Sequence, residues 1–113
     1  MTAADNSGGS LSAQTTVGAG GALTFATVCK RHGQQVEVTG FTGTGTAQVH
    51  LELSLDNDNW FMPDQGGSLI VSADGAFYMR TRDDYPALYA RGNLASIDPG
   101  VTGISVSSVI ASE

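Results

Sequence analysis

The chain has 113 residues, which suits one domain and leaves no room for a second core. Eleven acidic residues against five basic ones give a formal charge of −6, which repels phosphate backbones and anionic membrane surfaces and argues against nucleic acid as a direct partner. Gly, Ser and Thr make up about a third of the residues, charged residues are only 14%, and the single cysteine, Cys29, excludes an internal disulfide.

From the first residue, Met1 leads into Thr-Ala-Ala-Asp-Asn-Ser, with neither a basic nor an apolar region, so the expectation is synthesis and folding in a cytosol without a secretory signal. No apolar run has the length to cross a bilayer. Residues 1–20 are small and polar, with weak alternation from Leu11 to Val17 and a glycine break at 18–21. Such a segment has little apolar surface with which to stabilise its own order. We therefore expect an extended N-terminal arm (1–20) gripped by a neighbouring subunit through Leu11, Ala13 and Val17, and a β-sandwich domain at 21–113.

Leu23 to Val28 reads as a strand, closed by a charged turn at Lys30, Arg31, His32 and Gly33. Gln35 to Phe41 follows with Val36 and Val38 inward, and the glycines at 40, 43 and 45 suggest a flexible loop. The clearest element is Gln48 to Asp56. There Val49, Leu51, Leu53 and Leu55 alternate with His50, Glu52, Ser54 and Asp56, the period of a strand with one buried and one wet face. The run Asp56-Asn57-Asp58-Asn59 then favours a tight turn before Trp60, because Asp and Asn side chains bond to nearby backbone.

Asp74-Gly75 is the strongest short hairpin signal, so Ser68–Ala73 and Ala76–Arg82 are expected to be adjacent and antiparallel. Leu88–Leu94 places Tyr89, Arg91 and Asn93 on one face, and Ile104–Ala111 makes a final strand. A 3.6-residue period never lasts three turns. The expected fold is all-β, an antiparallel β-sandwich of immunoglobulin-like or jelly-roll-like type.

Catalytic equipment is not evident. Cys29 and His32 are spaced for a thiolate–imidazole pair, but a small buried thiol at a strand end and a solvated turn histidine are the simpler and preferred account. Serine is plentiful without a Gly-x-Ser-x-Gly elbow. Asp56 to Asn59 offers hard oxygens for calcium, yet the positions that an EF-hand fills with Gly and Glu hold Phe61 and Gly67. No catalytic, cofactor or metal residues are therefore assigned. Trp60, Tyr78, Tyr85 and Tyr89 are aromatic candidates for stacking on sugar rings, with Trp60, Tyr85 and Tyr89 kept as the glycan-stacking set; the alternative is Trp60 capping the core. Arg80, Arg82 and Arg91 sit on predicted strands beside tyrosines. There they are placed either to grip carboxylates of an adjoining chain or to pair internally with Glu37, Glu52 or Asp83.

The stretches Val36–Gly40, Val49–Trp60, Ala76–Tyr78 and Tyr85–Gly92 resemble small β-sandwich virion proteins of tailed bacteriophages. The resemblance spans about residues 35–112. It implies a capsid decoration or cement protein on the virion surface, with the major capsid protein and further copies of itself, as a trimer, for partners. Tyr89 and the three arginines would then join the arm at subunit interfaces. The alternatives are a carbohydrate-binding β-sandwich with a glycan partner and a tail or neck adaptor.

Overall fold

A computed structural model of the chain describes residues 7–64 and 66–113. Among these residues there is no helix. Nine strands form two antiparallel sheets: β1 (Ser7–Gly9), β2 (Gly18–Ala19), β3 (Leu23–Cys29), β4 (His32–Gly43), β5 (Ala47–Ser54), β6 (Ser68–Val71), β7 (Gly75–Arg80), β8 (Ala87–Ile97) and β9 (Val101–Ser112). The first sheet has the order β1-β9-β4-β7, and the second β2-β8-β5-β6, with β3 also paired to β8. From β4 onward the chain passes from one sheet to the other at β4/β5, β6/β7, β7/β8 and β8/β9. The pairs β9–β4 and β8–β5 lie at the centres of facing sheets, which is jelly-roll topology.

The alternation read from the sequence explains the packing. Val49, Leu51 and Leu53 of β5 meet Val36 and Val38 of β4, Leu94 of β8 and Val106 and Ile110 of β9 between the sheets, all of them almost fully buried. Each such side chain stabilises the fold by about 1.5–3 kcal/mol relative to exposure.

Three expectations need correction. Strands β6 and β7 are not a hairpin: β6 pairs with β5 and β7 with β4. The Asp74-Gly75 corner instead carries the chain from one sheet to the other, with Gly75 at φ 149° and Asp74 Oδ1 accepting the Phe41 N–H at 2.8 Å. A two-residue turn signal is local, whereas Val71 and Met79 both need the same interior and reach it from opposite sides. Residues 40–43 are not a loop either, because β4 continues to Gly43 through two register shifts against β9, eased by positive φ at Gly40 and Gly43.

The third correction concerns the leader. Residues 7–19 are held by their own chain: β1 pairs with β9, Gln14 bridges Val106, and β2 pairs with β8. Leu11, expected at a subunit interface, is only 3% exposed and lies in the core. Ser10 Oγ donates to the Gly21 carbonyl at 2.7 Å and accepts the Gly92 N–H at 2.8 Å. What this segment lacks in apolar surface it replaces with backbone pairing at the edges of both sheets, and Gly20 permits it because a Cβ there would strike the Ser10 carbonyl. Ala13 and Val17 remain exposed; residues 1–6 of the expected arm lie outside the described residues.

Candidate functional site

The outer face of the second sheet carries a dense set of polar side chains. Cross-strand register sets Glu52 opposite Arg91, His50 opposite Asn93 and Ser68, and Ser54 opposite Tyr89, which in turn faces Thr24. Period-two alternation is the cause, since the inward partners of these strands, Leu51, Leu53, Ala90 and Leu94, are all buried.

Arg91 organises this face. Its Nε donates to Glu52 Oε1 at 2.7 Å, and Asn93 Nδ2 donates to Glu52 Oε2 at 3.2 Å. The guanidinium carbon lies 4.1 Å from the centroid of the Trp60 ring, within cation–π range. One N–H of Arg91 is engaged by Glu52, so four further guanidinium donors remain. Of the internal partners expected for the arginines, Glu52 is the one that Arg91 takes.

Trp60 reaches Arg91 because of the turn before it. Asp56 Oδ1 accepts the backbone N–H groups of Asp58 and Asn59 at 2.9 and 2.8 Å, and Asp56 Oδ2 accepts Asn59 Nδ2 at 2.8 Å. Ser54 Oγ donates to Asp56 Oδ1 at 3.0 Å and accepts the N–H of Asn57 at 2.9 Å. These bonds, those from Asn59 foremost, hold the Asp56 carboxyl well below the usual carboxylate range. Asn57 takes φ 60°, as Asn readily does, and Phe61 then bridges back to Leu53. Trp60 is half-buried over the sheet's outer face and does not belong to the core cluster, so it is not a core cap.

The other sequence candidates scatter. Tyr89 shares the Arg91 face, two residues along β8. Tyr85 packs against the core, with its N–H bonded to the Lys30 carbonyl, and is separate from this network. Tyr78 is on the outer face of the first sheet, paired in register with Gln35. Arg80 ends β7, while Arg82 lies in the loop beyond it rather than on a strand, because pairing with β4 stops at Arg80. Sequence reasoning did not assign Asn93 to a site; its alternation with Arg91 on β8 was the available signal.

His32 is not a solvated turn residue. It begins β4, is 3% exposed, and stacks on Phe25 with ring centroids 5.8 Å apart. Nε2 lies 2.8 Å from the Tyr85 carbonyl, which can only accept, so Nε2 carries the proton and Nδ1 accepts from Ser112 Oγ at 2.8 Å. Burial pushes the imidazole below its ordinary value, against the opposing pull of the Tyr85 carbonyl. Burial also pushes the Cys29 thiol up, with Glu113 adding to it. With both His32 nitrogens taken, the pair has no free base and no accessible thiolate. Among the described residues, no three of His, Cys, Asp and Glu gather as metal ligands.

No family model and no curated protein matches this chain. Solved structures do match. The chain is similar to the module CBM32-3 from a family 31 glycoside hydrolase of Clostridium perfringens, at 12% identity and a TM-score of 0.52, over 95% of this chain and 74% of that one. It is also similar to part of a rhamnosidase from Klebsiella oxytoca with rhamnose bound, at 8% identity and a TM-score of 0.50, over 93% of this chain and 22% of that one. A third structure, PirA, aligns at 14% identity and a TM-score of 0.44 over 96% and 94% of the two chains. At such identities the likeness to CBM32-3 establishes a shared β-sandwich fold.

Proposed function

We propose that the chain is a non-catalytic carbohydrate-binding β-sandwich whose ligand lies on the outer face of the second sheet, around Trp60. The observation that carries this reading is the Trp60–Arg91–Glu52–Asn93 network. An aromatic ring is held in place by a guanidinium, which is itself fixed by a carboxylate and an amide on adjacent strands. Sugars present apolar C–H faces and rings of hydroxyls, so a recognition surface needs an immobilised ring beside donors and acceptors of fixed direction. Arg91 takes one face of the indole and leaves ring surface for a pyranose. Its unengaged N–H groups supply donors, and His50, Tyr89 and Ser68 extend the polar surface along the same face. Similarity in fold to a module from a glycoside hydrolase supports the reading.

Placement on a phage particle, against a major capsid protein and as a trimer, stands as a separate proposal about where such a module is displayed. It leaves the ligand face unchanged.

A glycan array followed by affinity electrophoresis tests the site. Trp60→Ala is expected to weaken retention by a neutral polysaccharide at least tenfold, which is about 1.4 kcal/mol. Equal retention by the variant, or no glycan bound by the wild-type protein, refutes the proposal.

A further inference from the structure

Lys30, Arg31, Arg80 and Arg82 are four of the five cations in the chain. They converge where β3 and β7 finish and β4 begins, lining three adjoining grooves of about 460, 270 and 370 Å³. The 460 Å³ groove is walled by Arg31, Arg80, Thr81, Arg82 and Asp84. Among the described residues, the only carboxylates that line any of the three are Asp84 and Glu113. Among the described residues the one ion pair here, Arg31 Nε to Asp84 Oδ1 at 3.8 Å, is long and mostly exposed, so it holds Arg31 only weakly. No ion pair with a described residue engages Lys30, Arg80 or Arg82.

The backbone under this cluster is hydrogen-bonded across the two segments that carry it. Thr81 N–H donates to the His32 carbonyl at 2.9 Å, and the His32 N–H donates to Thr81 Oγ1 at 3.1 Å, tying the segment between Arg80 and Arg82 to the start of β4 next to Arg31. Beside Arg80 lies Tyr78, 65% exposed. Its ring leans along the sheet over Gly33, where any Cβ would collide with the hydroxyl, and it forms a wall of the 270 Å³ groove. A bare aromatic surface therefore adjoins Arg31 and Arg80, and Arg82 lines the neighbouring groove with both of them.

We infer that this cluster is a second ligand site, for a saccharide that bears a carboxylate or a sulfate, with the oxyanion among Arg31, Arg80 and Arg82 and the sugar ring against Tyr78. Guanidinium groups match both oxyanions with paired N–H donors. The groove has the size of a small-ligand site, enough for a short run of sugars that presents one or two oxyanions to the arginines. The choice of a saccharide rests on the carbohydrate-binding reading above, but the site uses different residues on the other sheet.

The test measures affinity for polygalacturonate, dextran sulfate, uncharged dextran, poly-glutamate and duplex DNA, in the full chain and in the Arg80→Gln/Arg82→Gln double variant. Both positions are exposed, and an unchanged melting curve checks the fold. The wild-type protein is expected to bind polygalacturonate or dextran sulfate, whichever oxyanion fits, with an affinity that falls at least tenfold in the double variant and declines with added salt. Tyr78→Ala is expected to lose severalfold. Failure of the Trp60 reading shows separately, as absence of neutral-glycan binding, and does not touch this comparison. Retention of neither acidic polysaccharide, equal retention by the double variant, or preference for poly-glutamate or DNA overturns the inference.

Discussion

Removing the charge from either partner of the Glu52–Arg91 pair tests whether the outer face is built as a rigid unit. Glu52→Gln keeps the shape of the side chain, and Arg91→Met keeps the aliphatic stem while deleting the guanidinium. The side chains are 28% (Arg91) and 18% (Glu52) exposed at an N···O distance of 2.7 Å. That places the pair between exposed ion pairs, worth about 0.2–1 kcal/mol, and hydrogen bonds to charged groups, worth about 1.5–3 kcal/mol. A double-mutant cycle should give a coupling energy of about 1.5 kcal/mol. With unfolding entropy near 2.1 cal/mol/K per residue, each kcal/mol moves the Tm of a 113-residue domain by about 4 °C. The coupling therefore appears as about 6 °C of non-additivity. Urea unfolding, followed by the emission of Trp60, the one tryptophan in the chain, measures it while reporting on the ring that Arg91 holds. A coupling below about 0.3 kcal/mol, or an indole emission unchanged in Arg91→Met, would show that the network does not fix the ring.

Two further outcomes follow from buried polar groups. The folded-state value of His32 lies below its ordinary one, so between that value and about 6.5 the unfolded chain binds more protons, and stability must fall as pH drops from 7 toward 5. Denaturation midpoints across pH 5–8 should show that loss, and His32→Gln should flatten it; an equal slope in the variant contradicts the assignment. The Gln34 side chain is fully buried, with Nε2 3.4 Å from the His50 carbonyl and 3.3 Å from Met79 Sδ, while Oε1 has no partner. Gln34→Leu should leave stability unchanged or raise it by about 1 kcal/mol, because it removes an orphaned acceptor. A loss above about 2 kcal/mol would mean that the amide is better satisfied than these contacts imply.

How much of this was visible beforehand depended on range along the chain. The alternation of Val49, Leu51 and Leu53 identified β5 and its wet face, although Leu55, counted with them, lies exposed beyond the strand end; Val36 and Val38 were correctly turned inward, because a period of two is written in neighbouring residues. The sheet to which a strand belongs is not written locally. Asp74-Gly75 supplied a turn, but nothing near it says whether the next strand pairs or crosses. The leader misled for a related reason: its composition is that of an unstructured segment, and its backbone partners in β8 and β9 lie about 75 to 105 residues on. At the site, Trp60 and Arg91 were each noticed alone. Their stacking needed both the Asp56 turn and the β5–β8 register, neither of which spacing supplies.

The position of β9 between β1 and β4 sets the order in which this molecule can be made. Neither neighbour can complete its hydrogen-bonded ladder until residues 101–112 have been synthesised, so the first sheet closes last whatever forms earlier. A ladder joining residues 7–9 to 109–111 also spans nearly the whole polypeptide, and closing so long a loop is slow, on the order of milliseconds to seconds for such topologies. Until then the apolar sides of β4 and β5 stay uncovered in the nascent chain. That interval is when uncovered apolar surface leaves the chain most open to misassembly.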